Sequence, residues 1–166
     1  MKPGIIDITN RKELNSLLSQ LKPDTPALWG RLTAKPMIEH LIEAVEYTNG
    51  KKTAIMVLLP EEANKIKQTL VYGDFVITPG AKGYLSDATK QNRFTNLQTA
   101  IDELNKEMDA FELFFKAEKR TSVHPEFGPL DHKEWIIWHG KHFTHHFKQF
   151  GLISDGKWQV GIADTH

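Results

Sequence analysis

The chain has 166 residues, 21 Lys and Arg against 21 Asp and Glu, 40% hydrophobic residues and no cysteine. That is the make-up of one globular domain, residues 1–166, large enough to bury a core without covalent staples. The missing thiols exclude disulfides, cysteine-ligated zinc or iron–sulfur centres and cysteine nucleophiles, and a formal net charge of zero removes the positive field that drives sequence-independent nucleic-acid binding.

The opening MKPGIIDITNRKE turns polar too early for a secretory leader. Residues 10–21 read as a first helix: Asn10 caps the free amides, Glu13 stands three positions on, and Leu14, Leu17, Leu18 and Leu21 recur at helical spacing. A second helix is predicted from Thr33 or Ala34 to about Asn49. Thr33 is its cap, Pro36 fits the first turn, and Gly50 ends it. Residues 51–94 mix an apolar run at 54–59, a short helix near 61–71 and a Gly/Pro-rich passage at 78–83, and read as a long crossover connection. The third long helix covers 95 to about 119, with Ile101, Leu104, Met108, Phe111, Phe114 and Phe115 on one side. HPEFGPL at 124–130 breaks the pattern, and a fourth long helix follows from Asp131 to about Phe150, capped by an Asp131–Glu134 pair. Beyond it, Asp155-Gly156 marks a hairpin or a simple turn. The expected fold is an all-α four-helix bundle with one long crossover between its second and third helices.

Apolar runs at 54–59 and 135–138 fall far short of the ~20 residues that span a bilayer, so neither a membrane nor a nucleic acid is an expected partner and the cytoplasm is the default location. No P-loop, GxGxxG, GxSxG or HExxH occurs, which removes the standard phosphate, dinucleotide and hydrolase fingerprints.

The main chemical signal is histidine. Four of the eight, His139, His142, His145 and His146, fall within eight positions of the predicted last helix. At roughly 100° per residue, His142 and His146 lie one turn apart on one face, the spacing that brings two imidazoles to one metal ion. Trp135, Trp138 and Gln149 share that stripe, and the cheaper arrangement turns all of them inward. His139 and His145 flank His142 by roughly 60° on either side, as alternative ligands or as hydrogen-bonding residues at the rim. The third ligand should come from another helix, and His40 is the only histidine on the first three long helices. Three imidazoles leave an open coordination position, the pattern of a catalytic metal. Zinc or nickel suits such a donor set. A general base stays open among Glu39, Glu43 and Glu134, because their facing depends on helix rotation. His124, His132 and His166 read as surface or turn residues.

Two segments also resemble the DinB/YfiT-like proteins, a superfamily of metal-dependent four-helix bundles. WGRLTAKPMIEHL at 29–41 is similar to that family's Trp, polar turn and helix bearing His-Leu; HFTHHFKQ at 142–149 is similar to its terminal pattern of His, a His-His pair and Gln. The resemblance places the family's three ligands on His40, His142 and His146, with Gln149 in the place of its glutamine. Phe147-Lys148 stands where many relatives have Arg-Gly, and HPEFGPL with Glu134-Trp135 points to an uncharacterised branch. The function implied is that of a hydrolase or low-molecular-weight thiol transferase acting on a small molecule. The superfamily's DNA-damage-inducible label describes expression, not DNA contact. A homodimer is compatible with a bundle of this kind. The competing reading is a non-catalytic bundle that binds a small ligand or protein partner, its histidines purely structural.

Overall fold

The computed structural model describes residues 4–85 and 92–154. Five helices carry the fold: α1 (Arg11–Leu18), α2 (Ala34–Glu46), α3 (Pro60–Leu70), α4 (Leu97–Phe115) and α5 (His132–Gln149). A two-stranded antiparallel hairpin, β1 (Ser122–His124) and β2 (Gly128–Leu130), stands before α5. The long helices fall where the apolar periodicity puts them, with α1, α2 and α4 ending three to four residues earlier than expected and α5 one residue earlier. Asn10 caps α1 through the Glu13 amide, and Asp131 and Glu134 form the reciprocal capping box of α5. Thr33 departs from expectation, since its side chain makes no capping bond to α2.

The short helix expected near 61–71 is present as α3, with Pro60 in its first turn. One further correction concerns the connections. The apparent break at 124–130 is a hairpin whose return begins at Gly128, at φ +77°, where a Cβ would press on the Met56 sulfur. In the run at 54–59 the chain is non-helical, leaving Ile55, Val57 and Leu59 exposed on alternate positions, and the Val57 amide donates to the Pro125 carbonyl (2.9 Å). The Asp155-Gly156 turn and His166 lie outside the described residues.

The core sits around α2. Its Met37, Ile38, Leu41, Ile42 and Val45 are all buried, and it packs most extensively on α4, which contributes Leu104, Met108 and Phe111. Of the predicted phenylalanine stripe only Phe111 is fully buried; Phe114 and Phe115 are half-buried at its edge. Burying α2 on nearly every side also buries its acids. Glu39 accepts from the Arg93 and Phe94 amides (2.9 and 3.0 Å) and from Lys35, while Glu46 pairs with Arg93. These bonds fasten the chain before α4 to one side of α2.

On its other side α2 meets α5. That helix is fixed from behind by the N-terminal segment, which crosses at Gly140. A Cβ there would lie 2.6 Å from the Ile6 carbonyl oxygen, so only glycine admits the crossing. Thr144 completes the junction, its hydroxyl donating to the Gly140 carbonyl (2.6 Å) and accepting from the Ile6 amide (2.9 Å). Among the described residues no helix is long and apolar enough to cross a membrane.

Candidate metal centre

Where α2 faces α5, three imidazoles converge. His40 Nε2 lies 2.9 Å from His142 Nε2, and His146 Nε2 lies 3.1 Å from the same atom. The three ligand atoms all fall within 4.8 Å of one another, and no fourth His, Asp or Glu among the described residues joins the cluster. The α-helical rise brings His142 and His146 together, and the α2–α5 packing brings His40 to them.

The protons on these rings can be placed from their neighbours. Gln149 Nε2 donates to the Trp29 carbonyl (3.1 Å), which turns Gln149 Oε1 toward His146 Nδ1 at 2.8 Å. His146 therefore carries its proton on Nδ1 and presents a lone pair at Nε2. His142 Nε2 has close nitrogen neighbours on both sides. A proton there would point at one of them and leave the other contact without a proton of its own. His40 adds to the deficit, because its Nδ1 is buried with no hydrogen-bond partner among the described residues. No set of neutral tautomers satisfies both contacts and this atom together. A cation does satisfy the contacts, since bonds of ~2.05 Å at tetrahedral angles put ligand nitrogens ~3.3 Å apart, close to the spacing observed.

Electrostatics point the same way. Burial lowers the His40 pKa to about 4, only partly offset by the Glu43 charge, and burial with the neighbouring imidazoles holds His142 and His146 well below the usual value. All three rings are thus neutral near pH 7, the state that ligates a metal. The residues present fit a divalent cation.

The other predicted site residues divide. His145 donates from Nδ1 to the Ile77 carbonyl (3.1 Å) and packs beside the Trp29 ring, bordering the centre without joining it. His139 is not at a rim. It is fully buried, its ring stacked on Trp135, and because the Thr48 hydroxyl donates to the Val45 carbonyl (2.8 Å), His139 Nε2 must donate to Thr48 Oγ1 (3.0 Å). That proton removes Nε2 as an alternative ligand. Trp135 is core, with Nε1 donating to the Ser122 carbonyl; Trp138 is only half-buried, parallel to Phe75 and edge-on to Phe127. His132 sits at the surface opposite Glu112, whereas His124 is buried in the hairpin, where Nδ1 accepts from the Glu126 and Phe127 amides and the ring stacks on Phe127.

Sequence reasoning missed Tyr84, whose ring meets Tyr47 and His124 and whose hydroxyl burial makes hard to ionise. It lies in the crossover, where no periodicity reports on facing. The Trp29 carbonyl was equally invisible, although a Gln three residues after a His on one helix is a signal that the pair can bond. Gln149→Ala should weaken metal affinity by about 10- to 100-fold through loss of the His146 tautomer lock, read by competition with a chromophoric chelator. Unchanged affinity would reduce Gln149 to a packing residue. No protein-family model, curated protein or solved structure matches the chain.

Proposed function

We propose that this protein binds one divalent transition metal through His40, His142 and His146 and is a metal-dependent enzyme acting on a small molecule, a hydrolase or a low-molecular-weight thiol transferase. The observation that carries the reading is the convergence of three neutral imidazole nitrogens whose close contacts no arrangement of protons satisfies. Zinc or nickel is the expected ion, from the all-imidazole donor set. With three protein ligands and no fourth among the described residues, the ion would keep a position for a water or thiol and lower its pKa toward neutrality.

The chain's own part is to prepare that position. Gln149, held by the Trp29 carbonyl, fixes the His146 tautomer, and the hydrophobic surround keeps all three ligands unprotonated. We read α1, α2, α4 and α5 as the four helices of a DinB/YfiT-like bundle, with α3 and the hairpin set into its connections. The two sequence segments and the ligand order along the chain support that reading.

Metal analysis of protein purified without a histidine tag or added metal, beside the His40→Ala variant, tests the proposal. About one equivalent of zinc or nickel in the wild type, lost in the variant, is the expected result. No metal in either, even after incubation with divalent ions, would leave a helical bundle whose histidines are structural.

A further inference from the structure

The apolar run at 54–59, Ala-Ile-Met-Val-Leu-Leu, is set among charges: Lys51 and Lys52 stand before it, and Pro60 leads from it into Glu61 and Glu62. Its six residues include no charge, proline or glycine, the devices that blunt an exposed edge against pairing. Side chains alternate along it. Ile55, Val57 and Leu59 are 82, 68 and 69% exposed, while Met56 turns inward, its sulfur close to Gly128.

The backbone of the run has one edge bonded and one edge free. In an extended chain, successive residues present their N–H and C=O groups on alternate edges. The Val57 amide donates to the Pro125 carbonyl (2.9 Å), which ties its edge to the loop between β1 and β2. Ala54 and Met56 therefore present their groups on the opposite edge, where no backbone hydrogen bond reaches them among the described residues. The chain bends at Leu58 toward α3, so the free edge is short and centred on Met56.

We propose that this edge pairs antiparallel with the same edge of a second copy of the chain, about a two-fold axis at Met56. The pairing is independent of the metal reading. Met56 of each copy exchanges both backbone hydrogen bonds with Met56 of the other, and Ile55 lies across from Val57 of the other copy, which joins the two exposed stripes on one face. Charge selects the direction. Antiparallel pairing brings the Lys51-Lys52 end of one copy to the Glu61-Glu62 end of the other, whereas parallel pairing sets like charges together. Lys51 and Lys52 also serve Glu107 and Glu46 within the chain, yet both side chains stay about half-exposed, and Glu61 is exposed with no ion pair among the described residues. Because Pro125 holds the other edge, the pairing closes at two copies.

Sedimentation equilibrium of the full chain between about 5 and 500 µM reads the association, which so small a patch should place in the micromolar range. The wild type should pass from monomer to dimer across it. Two double variants, Ile55→Lys with Val57→Lys and Ile55→Glu with Val57→Glu, put like charges across the axis at exposed positions, and each should stay monomeric to about 500 µM. Mixed in equal amounts, the two should recover a dimer, because Lys then faces Glu. A wild type that is monomeric throughout, or that grows beyond dimers, overturns the proposal. A dimer that either double variant retains alone overturns it too, as does a mixture that stays monomeric. Should a variant not fold, hydrogen exchange in the wild type decides. The Met56 amide should slow as concentration rises while the Val57 amide, already bonded to Pro125, does not change. Exchange at Met56 that ignores concentration is incompatible with the pairing.

Discussion

His142→Ala and His146→Ala are each expected to lower zinc affinity by more than about 100-fold, while His132→Ala leaves it unchanged. Loss of an outer partner of a metal ligand already costs 10- to 100-fold, so loss of a ligand must cost more. His142 is the most exposed to this test, because its Nε2 is the atom both other rings approach, at 2.9 and 3.1 Å. His132 sits half-exposed opposite Glu112, outside the centre, and controls for the general effect of removing an imidazole. Isothermal titration with a competing chelator measures all three. Equal affinities would defeat the ligand assignment.

The metal-free protein should lose stability steeply as pH falls from about 6.5, before most carboxylates titrate. His124 and His139 both have pKa values lowered to about 3, in each case mainly by burial, and for His124 also by the charge of His139. In the unfolded chain they titrate near 6.5. The folded pKa lies below the unfolded one, so the unfolded state binds protons first. The stabilisation is complete above about pH 6.5 and drains away as pH drops toward 3. At pH 4.5 each group has lost ~2 to 3 kcal/mol, and the pair about 5, a large part of the 5–15 kcal/mol typical of a domain. The ligand imidazoles add to this with the same sign. Urea denaturation at pH 7, 6, 5 and 4.5 measures the loss, and His139→Gln, which can still donate to Thr48, should reduce the slope by about one proton. A flat profile in the wild type would sink the account.

Much of this architecture was readable before any coordinate. Leucines at helical spacing place α1, the Asp131–Glu134 pair places the start of α5, and the one-turn separation of His142 and His146 places both on one face. What the sequence withheld depends on rotation and tertiary contact. Glu39 and Glu134 look equivalent as letters, and only tertiary structure assigns one to the chain before α4 and the other to a helix cap. His139 and His145 looked symmetrical about His142, yet one is locked to Thr48 in the core and the other to the Ile77 carbonyl at the border. The hairpin was hidden because three-residue strands carry almost no periodicity, and Pro129 argues against a strand unless it lies at an edge.

The crossing at Gly140 sets an order of events. The ligands sit at positions 40, 142 and 146, and the helix bearing two of them is braced by Ile6, 138 residues before its partner Thr144. Contacts of such sequence separation close late in folding. During synthesis, at ~5–20 residues per second, α1 and α2 emerge many seconds before α5 exists to complete the centre. Until then His40 belongs to an incomplete seam, unable to capture an ion with its partners. On the proposed metal reading, loading would follow translation of α5, and nascent chains stalled before position 142 should remain unmetallated.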